Sequence, residues 1–281
     1  MSNSVFVPGH ITGFFNIENH EISLKNGSCG AGFLLSKGVK TTISPADNLI
    51  IDVNNGDDTV INEVLDILDV DADFKITQDI SLPIGAGFGT SAASALSLTM
   101  AINEFFNLGY SRELCGQVAH RAEINLGSGL GDVIAQTGKG LVLRTQPGAP
   151  GIGEIKSFEH DVYVAYKTFG KIDTSEIIND SNFKRVISEA GIKYLELFER
   201  EPTLENFLSF SNRFSHDINL MSEEVENLID YFNSSSDILG SSMAMLGNTA
   251  FAFAYDEDAF KNLGIKDLHI DKLNNIGIVY D

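Results

Sequence analysis

The segment from Phe74 to Phe106 constrains the fold of this chain more than any other. Residues 74–82 alternate apolar and polar side chains, which predicts a β-strand. The glycine-rich turn PIGAGFGTS follows, and the run AASALSLTMAINEFF after it is apolar on nearly all faces. A helix with that pattern has to be buried, and we expect Thr90 or Ser91 to cap it. The segment therefore predicts a strand, a tight turn and a buried helix in direct succession.

The remaining periodic segments mix strands and helices through both halves of the 281 residues. Without a regular βαβ alternation, this mixture predicts an α+β fold in two parts. The segment QPGAPGIGE, residues 146–154, concentrates two prolines and three glycines between periodic segments, which favours a domain boundary there. We therefore predict an N-terminal domain over residues 1–150 and a C-terminal domain over residues 151–281.

The charge balance disfavours some classes of partner. The chain carries 19 Lys and Arg against 39 Asp and Glu, a formal charge of −20. Such a surface repels phosphate backbones and anionic lipid headgroups, so no nucleic-acid or membrane partner is expected. The apolar runs are too short to span a bilayer, the first residues lack a signal core, and two cysteines do not make a disulfide framework. A cytoplasmic location is therefore predicted.

The turn at residues 83–91 has the pattern of an anion-binding site. Three glycines fall within five positions, directly between the strand and the buried helix. Glycine lets the backbone approach a ligand closely, and the start of a helix offers unpaired N–H groups. The turn is not a Walker motif, because no Lys-Ser or Lys-Thr pair follows it, and no acidic residue completes a dinucleotide fingerprint. Phosphate binding is favoured, with a plain tight turn between strand and helix as the alternative.

A second cluster joins the motif HRAE to the turn GSGLGD. His120 and Glu123 are three residues apart on a predicted helix and share a face, and Asp132 follows the glycine turn. Two carboxylates in this arrangement suit magnesium binding and proton abstraction. An ordinary helix face followed by a capped turn explains the same residues, and the cluster alone favours that alternative.

Taken together with two further small-residue clusters, these motifs resemble one family. VPGHITGFF near the N-terminus, PIGAGFGTSAA in the centre and MLGNTAF near the C-terminus are similar, in that order, to the motifs of the GHMP kinases. Within this family, SCGAGF and HRAEINLGSGLGDVIAQ most resemble the archaeal pantoate kinases. The likeness implies ATP-dependent phosphorylation of pantoate to 4-phosphopantoate on an archaeal route to coenzyme A. It also implies two α+β parts with the active site in the cleft between them.

The resemblance also implies roles for individual residues. Asp132 corresponds to the catalytic aspartate that receives the proton of the substrate hydroxyl, and Ser91 and Glu123 correspond to catalytic-site ligands of a magnesium ion. The residues expected to contact the substrate are Ser28, His120, Arg144 and Thr174. Arg144 suits a carboxylate because its guanidinium forms a fork, whereas His120 is equally compatible with a structural role. The positions expected to bind ATP are Pro83, Gly85, Ala86, Gly87, Gly89, Thr90, Ser91 and Ala92.

One departure from the family pattern concerns the catalytic aspartate. Several GHMP kinases place a lysine near the N-terminal motif, close to this aspartate, whereas SNSVFVPGH has none. Arg144, Lys171 or the magnesium ion would then lower the pKa of Asp132 or stabilise transition-state charge, or Asp132 would act by position alone. The rival hypotheses are a GHMP kinase for shikimate, homoserine or a mevalonate-type substrate, and a non-catalytic nucleotide-binding paralogue. A homodimer is compatible with the family.

Overall fold

Two β-sheets with helices packed on them make up the fold. The computed structural model describes residues 3–170 and 181–281. The strands are β1 (Asn3–Glu18), β2 (Gly27–Pro45), β3 (Ile50–Val53), β4 (Phe74–Ile80), β5 (Leu141–Gln146), β6 (Glu154–Phe158), β7 (Tyr163–Thr168), β8 (Gly240–Met243), β9 (Thr249–Ala254), β10 (His269–Lys272) and β11 (Val279–Tyr280). The helices are α1 (Thr59–Leu68), α2 (Thr90–Phe106), α3 (Arg112–Leu126), α4 (Asp132–Gln136), α5 (Ser181–Arg200), α6 (Leu204–Ile218), α7 (Glu223–Asn233) and α8 (Glu257–Lys261). In these described ranges, no helix is both long and apolar enough to cross a membrane.

The first sheet is built on the long antiparallel pair of β1 and β2. Its order is β11-β1-β2-β4-β3, and β5 pairs with β2 on one side and with β6 on the other. Residues 30–33 of β2 pair with β5, whereas residues 39–45 pair with β4, so β2 serves two neighbours in turn. The register between β1 and β2 shifts between Pro8 and His10. Such irregularities bend a strand and change the direction of its side chains, here in the part of β1 around His10.

Helix α2 is buried between the first sheet and α3, as its sequence predicts. Every residue from Ala92 to Ile102 is buried. Its polar side chains have partners inside the protein: Ser97 bonds the hydroxyl of Thr41 at 2.6 Å, and Ser94 donates to Gln78 at 2.7 Å. Because these groups are paired, the helix can be enclosed without unsatisfied hydroxyls.

The start of α2 differs from the expectation. The helix begins at Thr90, and the cap position is held by Gly89 without any side-chain hydrogen bond to the first turn. The predicted capping by Thr90 or Ser91 is therefore wrong. Gly89 has φ 58°, a left-handed conformation that glycine adopts without the steric cost a serine or threonine would meet. The N-terminus of α2 consequently has no capping side chain.

The second sheet has the order β10-β7-β9-β8 and is antiparallel throughout. Helices α6 and α7 pack on its strand β8, while α5 packs on β1 of the first sheet. Phe33 of β2 contacts the rings of Phe251 and Phe253 in β9, with centroids 5.0 and 4.8 Å apart. One hydrophobic core therefore joins the N-terminal strands to the second sheet, and the two α+β parts pack closely together.

The glycine- and proline-rich segment 146–154 connects β5 to β6, two strands that pair with each other in the first sheet. The chain passes to the second sheet only after Phe158, and β11 at its end returns to pair with β1. The segment is a break between β5 and β6, as its turn residues predict. The division into domains at residue 150 stays a prediction.

Candidate active site

A cavity of about 310 Å³ lies where six segments of the chain meet. These segments are β1, the start of β2, the glycine-rich turn before α2, the end of α3 with the turn to α4, β5, and the loop after β8. Apolar side chains, including those of Phe15, Phe88 and Met245, make up much of the wall, and a few polar groups converge on the same space. Such a composition is typical of a site for a small molecule. Among its polar residues are Ser28, Ser91, Glu123, Asp132 and Arg144.

The glycine-rich turn lies in the wall of this cavity. Gly85, Gly87 and Gly89 have φ angles of 73°, 86° and 58°, which turn the chain sharply ahead of α2. Within the described residues, no N–H from Gly85 to Ala92 donates to another protein group. Unpaired amides at the start of a long helix form a site for an anion, because the donors converge and the helix dipole is positive there.

The loop after β8 supports the turn from the other side. Thr249 donates its hydroxyl hydrogen to the carbonyl of Ala86 at 2.9 Å. A methyl group on Gly247 would lie 2.1 Å from the same carbonyl oxygen, so the two backbones touch. A methyl group on Gly87 would lie 3.2 Å from the carbonyl oxygen of Met245. The C-terminal small-residue motif is therefore a structural support of the glycine turn.

A larger cavity of about 1060 Å³ adjoins the first. Ile84, Thr90 and Ser91 line both cavities, so the glycine turn lies where the two meet. The wall of the larger cavity includes the loop at residues 54–57 and the rings of Tyr166 and His269 from the second sheet. Two ligands bound in the two cavities would therefore approach each other at the turn.

Glu123 is a buried carboxylate at the junction of α2 and α3. It is 2% exposed, and it accepts hydrogen bonds from the hydroxyls of Ser91 and Ser128, the latter at 2.8 Å. Burial raises the pKa of Glu123 to about 7, although the two hydroxyl donors lower it, and the nearby charge of Asp132 raises it further. A methyl group on Gly129 would lie 2.5 Å from Glu123 Oε2 and 3.4 Å from Asp132 Oδ2. The two carboxylates therefore face one small space.

Asp132, the first residue of α4, is held by a histidine from β1. His10 Nδ1 lies 2.6 Å from Asp132 Oδ1, and the histidine is completely buried. Burial alone raises the pKa of Asp132, but the hydrogen bond with His10 and the charge of Arg144 outweigh it and hold this pKa below its usual range. Burial also lowers the pKa of His10, so the ring is neutral at pH 7. Asp132 is therefore ionised at neutral pH and accepts a hydrogen bond from a neutral histidine.

Arg144 of β5 is a buried cation with few partners. Its side chain is 1% exposed, and its Nε has no hydrogen-bond partner among the described residues. Its Nη1 makes only two long contacts, 3.5 Å to His10 Nε2 and 3.4 Å to Thr12 Oγ1. An incompletely paired guanidinium is costly to bury, so its place in the cavity wall is suited to an anion that would complete its hydrogen bonds. A carboxylate matches the planar fork.

Most of the predicted site residues do converge. Ser28, Gly85, Gly87, Gly89, Thr90, Ser91, Glu123, Asp132 and Arg144 line the smaller cavity, and Pro83 and Ala86 line the larger one.

Three predicted residues are not part of this convergence. Ala92 is buried within α2 and lines neither cavity. His120 also lines neither: it is 1% exposed, and burial lowers its pKa although the backbone of Ser23 and Asn26 raises it. Its Nε2 has no hydrogen-bond partner among the described residues. Its role in substrate binding stays a prediction, with the structural role as the alternative. Thr174 lies outside the described residues.

Two residues in contact with the site had no predicted role. His10 lies inside the motif VPGHITGFF, but nothing in the motif indicates its partner, which is 122 positions away. Gln136 ends α4, and its Nε2 donates to the carbonyl of Gly89 at 2.8 Å. Gln136 follows Asp132 by four residues, and this spacing could have identified it from the sequence, since both side chains then lie on one face of a helix. Helix α4 thus holds the catalytic candidate and the glycine turn together.

A magnesium ion fits the donors at Ser91 and Glu123. Across residues 3–170 and 181–281, no cluster of three or more His, Cys, Asp or Glu side chains is placed to hold a metal ion. Magnesium commonly takes only one or two protein carboxylates and completes its shell with phosphate oxygens and water. One carboxylate with an adjacent hydroxyl, beside an amide cradle, is a donor set of that kind.

Known proteins resemble the chain over nearly its full length. Residues 58–140 match the family model for the GHMP kinases N terminal domain. The pantoate kinase of Methanocaldococcus jannaschii is 35% identical over 90% of this chain and 93% of its own. The pantoate kinase of Thermococcus kodakarensis is 34% identical over 91% and 89% of the two chains. A solved structure described as a phosphotransferase related to the CoA biosynthesis pathway has a TM-score of 0.87 and 30% identity, with 100% of this chain and 99% of that chain covered.

Proposed function

Because the chain belongs to the GHMP kinase superfamily, we propose that it transfers the terminal phosphoryl group of ATP to pantoate and forms 4-phosphopantoate on an archaeal route to coenzyme A. One observation carries the proposal. The glycine turn, whose amides from Gly85 to Ser91 are unbonded among the described residues, the carboxylates of Glu123 and Asp132 and the guanidinium of Arg144 meet around one cavity. Each group suits one part of a kinase reaction: phosphate oxygens, metal, hydroxyl and substrate carboxylate.

The smaller cavity matches the chemistry of pantoate. This substrate is a short carboxylate with two hydroxyl groups and two methyl groups on one carbon. Arg144 is proposed to bind the carboxylate, with the hydroxyl of Ser28 beside it. The two side chains are close together, because a methyl group on Gly131 would touch both of them. The apolar wall that includes Phe15, Phe88 and Met245 is suited to the methyl groups.

The larger cavity is proposed to hold the nucleoside of ATP, with the phosphates across the glycine turn. The terminal phosphate would then enter the smaller cavity at the junction lined by Thr90 and Ser91. Ser91 and Glu123 would hold magnesium, which neutralises phosphate charge when it is bound. Glu123 would lose its proton to do so, because its pKa of about 7 leaves the side chain partly protonated at neutral pH.

Asp132 is proposed to accept the proton of the substrate hydroxyl. Its depressed pKa makes it a weak base, which suits phosphoryl transfer, because positioning and charge neutralisation matter more there than early proton removal. Asp132 Oδ1 is occupied by His10, so Oδ2, near Glu123, is the atom left to face the hydroxyl. The residue then orients the hydroxyl first and takes its proton as the new phosphate bond forms.

The test is a pantoate-dependent ADP assay run with and without magnesium. We expect ADP to form only when pantoate, ATP and magnesium are all present. Homoserine, shikimate and mevalonate, supplied at the same concentration, test the other substrates of the superfamily and are expected to give at least about tenfold lower kcat/KM. Higher kcat/KM with one of these would keep the kinase chemistry and overturn the substrate. Tight ATP binding without turnover on any of the four would instead support a non-catalytic paralogue.

A further inference from the structure

His10 lies where the proposed base and the proposed substrate clamp meet. Its backbone N–H donates to the carbonyl of Phe88 in the glycine turn at 2.9 Å. One ring nitrogen, Nδ1, lies 2.6 Å from Asp132 Oδ1, and the other, Nε2, lies 3.5 Å from Arg144 Nη1. The residue therefore contacts three functional elements that come from different parts of the chain.

We propose that His10 is a positioning residue, which fixes the carboxylate of Asp132 relative to Arg144 so that one oxygen of that carboxylate faces the substrate hydroxyl. The proposal rests on the proposed kinase function. The N-terminal motif has no lysine, and the neutral His10 lies next to the aspartate instead. Arg144 contacts the histidine in turn, with Nη1 3.5 Å from Nε2, and its charge also lowers the pKa of the aspartate directly.

The hydrogen-bond chemistry fixes the tautomer of the ring. The guanidinium of Arg144 has donors only, so Nε2 has to be the unprotonated nitrogen that faces it. Nδ1 then carries the proton and donates to Asp132 Oδ1. Asp132 Oδ2 has no hydrogen-bond partner among the described residues, and it borders the space that Asp132 shares with Glu123.

The neighbouring backbone is shaped to admit this ring. Gly32 of β2 pairs with Thr12, two residues beyond His10, and a methyl group on Gly32 would lie 2.3 Å from His10 Nε2. The register between β1 and β2 shifts between Pro8 and His10, directly before this contact. The small residues of SCGAGF therefore have a definite function in the structure, since any side chain at Gly32 would displace the ring.

The first experiment compares two amide substitutions that differ in where they put a donor. In His10→Asn the side-chain NH2 occupies the place of Nδ1 and can still donate to Asp132. In His10→Gln the amide lies one carbon further out, near the place of Nε2, where its oxygen accepts from Arg144 and its NH2 is no longer placed to donate to Asp132. We expect His10→Gln to lower kcat by about 100-fold and His10→Asn to stay within about fivefold of the wild type, because small misplacements of a reacting group have effects of this size.

Several readouts separate positioning from a merely structural role. The KM for ATP and the affinity for magnesium-ATP are expected to stay unchanged in both variants, and both are expected to show the same thermal unfolding midpoint within a few degrees. Equal kcat losses in His10→Asn and His10→Gln would overturn the proposal, as would a normal kcat in His10→Gln. If the wild type fails to phosphorylate pantoate, the assay is repeated with whichever alcohol of the panel it does phosphorylate.

A second measurement needs no substrate and is therefore independent of the proposed function. Protein labelled with ¹⁵N-histidine shows by NMR which ring nitrogen of His10 carries the proton. We expect the Nδ1–H tautomer at pH 7, with a downfield proton that disappears in His10→Asn. In Asp132→Leu, which removes the acceptor, this proton is expected to move upfield. An Nε2–H tautomer, or a doubly protonated ring, would overturn the assignment.

Discussion

The glycine-rich turn and the cluster of His10, Asp132 and Arg144 form two sides of one cavity, but the chain builds them in different ways. The turn is continuous: residues 83–89 lie between β4 and α2, residues 90–91 begin the helix, and their backbone is proposed to bind the phosphates. The cluster is assembled from β1, α4 and β5, and its side chains do the work. A continuous motif can be recognised from its own spacing, whereas an assembled cluster depends on a register and a helix position set elsewhere in the fold.

The largest effect is expected at the assembled side. Asp132→Asn keeps the shape of the side chain and an acceptor for His10, but it removes the base. We expect kcat to fall by about 1000-fold, within the usual range for a general base, while the affinity for magnesium-ATP changes little. Steady-state ADP release and calorimetric nucleotide binding measure the two quantities. A kcat within tenfold of the wild type would mean that Asp132 has no chemical role.

A matched pair of glycine substitutions tests the continuous side. Gly89 and Gly109 both have positive φ, 58° and 73°. A methyl group at Gly89 would lie 3.1 Å from Asp132 Cγ, whereas at Gly109 it would meet nothing within 4 Å. We expect both alanine variants to lose about 1 kcal/mol of unfolding free energy from backbone strain, and only Gly89→Ala to lose about 100-fold in kcat/KM.

This pair would contradict the account in one of two ways. Equal catalytic losses would mean that the effect reports backbone strain and not the contact with Asp132. Full activity in Gly89→Ala would mean that the turn tolerates a side chain where the account places a phosphate. Urea unfolding and ADP release, measured on the same preparations, distinguish these outcomes.

Arg144→Lys asks whether the assembled side recognises a carboxylate. Lysine keeps the charge but loses the fork, so the KM for pantoate is expected to rise about 10- to 100-fold, the range of a charge-assisted hydrogen bond. The KM for ATP should stay within about twofold. Pantoyl amide, which lacks the carboxylate charge, is the complementary probe. With this substrate, the KM values of the wild type and Arg144→Lys are expected to be nearly the same. An unchanged KM for pantoate would show that Arg144 is structural.

The smallest expected effect concerns the stability of the metal-free protein. The folded-state pKa of Glu123, about 7, lies above its ordinary value of 4.5, so the native state holds the proton more tightly and loses stability as pH rises from 4.5 through 7. Glu123→Gln removes this penalty. We expect its unfolding free energy to exceed that of the wild type by roughly 2 kcal/mol at pH 8 and to match it near pH 4. Thermal unfolding of metal-free protein at both pH values checks this, and a variant less stable at pH 8 would reverse the sign.

The contrast between the two sides also explains what could be predicted from sequence. The strand, turn and buried helix from Phe74 to Phe106 follow from local periodicity. Glu123 and Asp132 line the cavity as the resemblance implied. The role of His10 could not be predicted, because it needs a register shift in β1 and a partner 122 residues away.

A local pattern also misled at the start of α2. A serine or threonine before a helix predicts a cap, but a glycine with left-handed backbone holds that position and leaves the amides free for a ligand. The conformation of Gly89 depends on the packing around the turn, and one segment of sequence does not contain that information. The role of His120 in substrate binding stays a prediction. The homodimer, the cytoplasmic location and the absence of nucleic-acid partners stay predictions.

The central claim is that the amides of the glycine turn and the carboxylate of Asp132 bring a terminal phosphate and a pantoate hydroxyl together. Phosphorus NMR of the reaction mixture tests it most directly. We expect one new phosphomonoester, whose phosphorus signal is split by the two protons of the terminal methylene group. This signal is expected to be absent with Asp132→Asn. A mixture that contains only ATP, or only ADP and inorganic phosphate, would contradict it.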